Sequence, residues 1–159
     1  MKLFAGLERT DYQDVLRAVG RYLDGQRVSD LRLFERDDGV IAHGRDLALP
    51  AGHFRTFRLL DSDLLALLHT VYGLRGAGRQ RPSGVMGGQL SYQDRLRAVG
   101  RLLDDEGWRE FRLIESLEGF VLQGHRGSYS TRTIYTQQLN NEDLRVLLEP
   151  KAATQFPQR

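Results

Sequence analysis

No cysteine occurs among the 159 residues, so disulfides, zinc thiolate sites and thiol nucleophiles are excluded. Lysine is nearly absent as well, outnumbered by arginine 21 to 2. With no lysine beside a glycine-rich turn there is no P-loop. The glycines at 73, 76 and 78 lack the dinucleotide spacing and follow no strand pattern. No GxSxG elbow is present. His43, His53, His69 and His125 show no HExxH or other close ligand spacing, so no metal or cofactor is expected. Two pairs of adjacent acids, Asp37–Asp38 and Asp104–Asp105, read as solvated turn residues. No apolar run approaches the roughly 18 residues of a membrane span. The stretch "MKLFAGLERTD" is too short in apolar residues for a signal peptide. These absences lead to the expectation of a cytoplasmic protein with no catalytic motif.

Charge of one sign is also missing. The net charge is only +2, although the arginine excess gives a pI of about 9.1. Residues 1–80 carry 12 cations and 11 anions, and residues 81–159 carry 11 and 10. A nucleic-acid binder usually shows a clustered cationic excess, because phosphate neutralisation supplies much of its affinity. The arginine bias is compatible with a GC-rich bacterial genome.

What is present is a text written twice. Displaced by 80 residues, the chain aligns with itself without gaps, with 22 identities over the 57 positions from Tyr12 to Leu68. Each copy reads as a helix, a hairpin, a third strand and a second helix. Asp11 and Ser91 are N-cap residue types ahead of the first helix. Leu31–Arg36 and Val40–Arg45 read as strands joined at Gly39, and Leu117 to Gly119 makes the matching turn. A third strand is expected near Phe54–Leu59 and again near Thr133–Leu139. The closing helix starts at Asp61 or Ser62, and its counterpart runs from Asn141 until Pro150 stops it.

The expected fold is therefore α+β, a tandem duplication of an α-β-β-β-α unit, each with an antiparallel three-stranded sheet and flanking helices. Residues 1–72 form the first unit, 73–90 a glycine- and arginine-rich linker, 91–150 the second unit and 151–159 a tail. At the level of element order, each unit resembles the first part of secretion-chaperone-like folds. That resemblance, which carries no motif, would imply partner-protein binding and paired subunits.

The identities concentrate in the first helix. "YQDVLRAVGRYLD" and "YQDRLRAVGRLLD" share 11 of 13 positions, and the other 11 identities are scattered over 44. Tyr12, Leu16, Val19 and Leu23 make the apolar stripe that core packing requires. Packing does not require the retained polar and small positions, which are Gln13, Asp14, Arg17, Gly20 and Arg21 and their counterparts Gln93, Asp94, Arg97, Gly100 and Arg101. Glycine inside a helix costs about 1 kcal/mol relative to alanine, so Gly20 and Gly100 point either to close approach of another backbone or to close contact with the unit's own second helix. The expectation is that the two first helices cross at these glycines, docking the units as an intramolecular pseudo-dimer. Arg17 and Arg21 would then pair with Asp14 and Asp24 across the interface.

Two functional readings follow. The first is a non-enzymatic protein-interaction or assembly module, acting on a protein partner or on itself through the duplicated helix. The second is single-stranded nucleic-acid binding through linker residues Arg75, Arg79 and Arg81 and through Arg55 and Arg58 of "FRTFRL". Against the second, the other copy reads "IYTQQL" and keeps neither arginine.

Overall fold

The computed structural model describes residues 11–50, 52–73, 90–127 and 133–149. In chain order these form α1 (Tyr12–Asp24), β1 (Val28–Arg36), β2 (Gly39–Asp46), β3 (Phe54–Leu60) and α2 (Asp61–Gly73). The same order returns in α3 (Tyr92–Glu106), β4 (Trp108–Ser116), β5 (Gly119–Arg126), β6 (Tyr135–Asn140) and α4 (Asn141–Leu148). The class is α+β.

The six strands form one antiparallel sheet in the order β3-β2-β1-β4-β5-β6. Two separate three-stranded sheets are what the sequence suggests. They are joined because β1 and β4 are both apolar along one face and pair through Arg32–Ile114, Leu33–Leu113 and Phe34–Arg112. The seam ladder is short for a local reason. Both strands bulge, with register shifts between Ser29 and Arg32 and between Arg109 and Arg112. Asp30 and Glu110 sit in these bulges with φ of 53° each, a left-handed conformation uncommon outside glycine, asparagine and aspartate.

Alternation fixes which sheet face meets the helices. Leu31 and Leu33, Val40 and Ala42, Phe111 and Leu113, and Phe120 and Leu122 are all buried beneath them. From above come Tyr12, Leu16, Val19 and Leu23 of α1, and Leu96, Val99 and Leu103 of α3. One continuous core thus spans the first and second halves of the chain, with the Tyr12 ring edge-on to Phe111 of β4 at 5.7 Å. Phe57 is buried while Phe54 is 46% exposed, so that strand turns one aromatic inward and one outward. Among the described residues, no element covers the opposite sheet face.

Local signals set the helix ends, with one departure. Ser91 accepts from the Asp94 amide at 3.2 Å, and Asn140 with Asp143 makes a full capping box on α4. Asp11 makes no side-chain cap. A carboxylate from far along the chain instead accepts the amides of Tyr12 and Gln13 at the start of α1.

Candidate interface at the helix pair and the strand seam

That carboxylate is Asp104. Its oxygens accept the backbone amides of Tyr12 at 2.9 Å and Gln13 at 3.0 Å. Asp24 does the same for α3, accepting from Tyr92 at 2.9 Å and Gln93 at 3.0 Å. Each helix therefore carries in its last turn an aspartate that caps the start of the other, placing negative charge at the positive end of the neighbouring dipole. This arrangement requires α1 and α3 to lie antiparallel and in close contact. Asp104, read from sequence as solvated turn chemistry, is half-buried, and burial raises its carboxyl above the usual carboxylate range. The expected pairing of Asp24 with arginine gives way to backbone amides, because the orphan N–H groups of a helix start lie nearest to it.

The glycines explain how the helices approach so closely. A Cβ on Gly20 would stand 2.5 Å from the Tyr92 carbonyl oxygen and 2.7 Å from Gln93 Cα. On Gly100 it would stand 2.6 Å from both the Tyr12 oxygen and Gln13 Cα. Real Cβ atoms do not come so close to backbone, and a neighbouring backbone cannot rotate away as a side chain can. The expected backbone crossing is present, with a corrected geometry: the glycines do not face one another. Each receives the first turn of the opposite helix.

The remaining polar positions of the stripe are all at least partly buried. Arg17 and Asp94 are buried, and Gln13, Asp14, Arg21, Gln93, Arg97 and Arg101 are partly buried. Burial depresses the Arg97 guanidinium, with nearby Arg17 the next cause. Arg101 turns to α4 and donates to the carbonyls of Leu147 and Glu149, both at 2.6 Å, which satisfies the orphan acceptors of a helix end.

The strand seam shows the same reciprocity. Tyr12 Oη donates to Glu35 at 2.8 Å, and Glu35 also accepts the Phe111 amide of β4 at 3.3 Å. Tyr92 Oη donates to Glu115 at 2.6 Å, and Glu115 accepts the Leu31 amide of β1 at 2.9 Å. Just beyond each end of the three-pair β1–β4 ladder, a glutamate takes the amide left over. This accounts for Glu35 and Glu115, which sequence spacing on a strand places opposite Arg32 and Arg112. Arg95 gives Glu115 a further partner at 3.1 Å and lies 4.7 Å from the Tyr92 ring centre. Val15 stands at the corresponding place in α1 and offers Glu35 no charge. Burial raises the Glu35 carboxyl above its ordinary range. It also raises both tyrosine hydroxyls, with the bonded glutamates adding to the shift.

Of the residues singled out for nucleic acid, Arg75, Arg79 and Arg81 lie outside the described residues. Arg55 points to the sheet margin, 3.7 Å from Asp46 and 4.6 Å above the Phe57 ring. Arg58 is exposed on the uncovered face, 3.7 Å from Asp38. Among the described residues, no group of three or more histidines, aspartates and glutamates is disposed to hold a metal ion. No described helix is long and apolar enough to cross a membrane. Comparison of the chain with protein-family models, curated proteins and solved structures finds no match.

Proposed function

We propose that this chain is a non-enzymatic binding or assembly module, built by tandem duplication of an α-β-β-β-α unit whose two copies dock as an intramolecular pseudo-dimer. One observation carries the reading: the residues that join the two copies through hydrogen bonds and helix contact are retained between them. Tyr12, Gly20, Asp24 and Glu35 each meet the other copy, and Tyr92, Gly100, Asp104 and Glu115 return the same contacts. A self-complementary patch of this kind is the signature of an isologous interface. Retention of the first helix is thereby explained by assembly, and an external partner is left the broad uncovered side of the sheet.

The experiment is sedimentation of the full chain together with thermal unfolding. One monomeric species with a single transition is expected, because breaking either seam exposes the shared core. Two transitions that separate cleanly into the halves would remove the docked pseudo-dimer. A dimer that dissociates on mutation of Gly20 would instead move the interface between molecules.

A second reading, nucleic-acid binding, is favoured by a feature of that uncovered face. Arginine recurs along it where the helix layer is rich in acids.

A further inference from the structure

The net charge of +2 conceals a separation of charge between the two layers. The four helices carry ten carboxylates against six arginines. The outward strand positions carry Arg32, Arg36, Arg45, Arg58 and Arg112 and no carboxylate. Acids reach this face from bulges and turns, where Asp37 has no ion-pair partner among the described residues and three others are engaged. Asp30 pairs with Arg45, Asp38 lies 3.7 Å from Arg58, and Glu110 lies 3.3 Å from His125. Arg32, Arg36 and Arg112 have no ion-pair partner among the described residues. They cluster around Phe34, which Arg112 faces directly across the seam and which Arg32 and Arg36 flank along β1.

Flat apolar surface accompanies this charge. Phe34 and Ile134 border a groove of about 630 Å³ whose polar walls are Arg36, Arg112, Gln123 and His125 together with three acids, Glu35, Asp37 and Glu110. Glu35 is held by the Tyr12 hydroxyl and the Phe111 amide, and Glu110 lies beside His125. At the far side of the sheet, His43 and Phe54 stack in parallel 5.0 Å apart, leaving a second planar surface 46% exposed at Phe54. A protein partner rich in acids would need the cations. The aromatic planes and a groove large enough for a base would give it nothing in particular. A polymer that alternates phosphates with planar bases uses both. A duplex would hide its base faces, so the strand must be single.

We propose that the uncovered sheet face binds single-stranded nucleic acid, with phosphates held by Arg32, Arg36 and Arg112 and bases laid on Phe34 and on the His43–Phe54 stack. This rests on the reading of that face as the binding surface of the module.

The test is fluorescence anisotropy with the full chain and a labelled, mixed-sequence single-stranded oligonucleotide of about 16 nucleotides. Neutralising three to five phosphates predicts a log–log salt slope of about −2 to −3.5. Arg36→Glu with Arg112→Glu should weaken binding at least about tenfold and flatten that slope. Phe34→Ala should weaken it by roughly tenfold while leaving the slope unchanged, because it removes stacking and no charge. Arg32→Glu, at an exposed position, repeats the charge test should the double variant unfold. An unbound oligonucleotide overturns the proposal, and so does binding abolished by Arg75→Ser, Arg79→Ser and Arg81→Ser but untouched by the face variants. A parallel titration with polyglutamate separates the two levels of the argument. Polyglutamate bound through Arg36 and Arg112, with no oligonucleotide bound, overturns nucleic acid as the ligand and retains the face as a binding surface. Neither polymer bound overturns the nucleic-acid assignment and removes the charge argument for the face.

Discussion

Asp104 caps a helix that begins 92 positions earlier in the chain, at Tyr12, with its carboxylate 2.9 Å from that residue's amide. Asp24 and Tyr92 repeat the bond at 2.9 Å across 68 positions. An N-cap aspartate is worth about 1 kcal/mol locally. These two act between halves, so their loss weakens a helix end and a docking contact together. Asp24→Ala and Asp104→Ala should each lower stability by about 1–2 kcal/mol, read as a fall in urea midpoint without change of slope. An effect confined to a few tenths would show that water replaces the carboxylate at no cost.

Glycine substitution distinguishes packing from propensity by sign. In an open helix, Gly20→Ala would gain up to about 1 kcal/mol. Here the added methyl meets the Tyr92 oxygen at 2.5 Å, and overpacking typically costs 1–3 kcal/mol. Gly20→Ala and Gly100→Ala should both destabilise, and the double variant should cost less than the sum, because either one already forces α1 and α3 apart. Gly25→Ala is the control: its Cβ would meet only the Tyr22 oxygen, at an ordinary 3.5 Å. Stabilisation at both 20 and 100 in chemical melts would contradict the close approach.

Glu35 offers a test in pH. Its folded carboxyl titrates above the ordinary 4.5 because burial disfavours the charge. The folded state therefore holds a proton that the unfolded chain has already lost. The associated stability is full below about 4.5 and is lost as pH rises through the higher, folded value. Glu35→Gln has no such titration, yet its amide oxygen can still accept from Tyr12 and Phe111. The melting temperature of Glu35→Gln relative to the parent should thus rise between pH about 4.5 and about 7. Asp104 titrates in the same direction in both proteins and cancels in the difference. Glu35→Ala leaves a buried amide and hydroxyl unsatisfied, and should cost about 1–3 kcal/mol throughout. A pH-independent gap between Glu35→Gln and the parent would mean that Glu35 is no more buried folded than unfolded.

Much of this was legible in the sequence because periodicity and retention are both local signals. The stripe Tyr12, Leu16, Val19 and Leu23 names a buried helix face, and Gly20 with Gly100 names a close approach. What approaches was not legible. A helical glycine says that something packs there, but not that it is a first turn rather than another glycine. The β1–β4 seam was hidden for a related reason: a strand with one buried face looks the same at an edge as at a centre. Asp104 was misread because a carboxylate after a helix end is usually solvated, and only the antiparallel helix pair turns it toward an amide. The charge separation between layers was invisible in the totals, since strand alternation sorts the arginines to one side only once the sheet is formed.

The strongest test of self-complementarity removes one half. In the full chain, β1 meets β4 with Leu33 opposite Leu113 and Phe34 opposite Arg112. Two copies of residues 1–80 can reproduce that register with Leu33 opposite its own equivalent. They can likewise seat Gly20 on Tyr12, and cap Tyr12 with Asp24, across a two-fold axis. Two contacts change: Val15 stands where α3 has Arg95 and leaves each Glu35 without an added cation, and Leu31 stands where β4 has Phe111 and removes the ring contact with Tyr12. Residues 1–80 alone should therefore form a dimer, with a melting temperature that rises with protein concentration as subunit linkage requires. Gly20→Leu should shift that fragment toward an unfolded monomer, because the core of one half is open on the seam side. Sedimentation equilibrium decides the matter. A fragment that is folded and monomeric over a range of concentrations would show that the seam contributes little, and that the halves are joined chiefly by their chain.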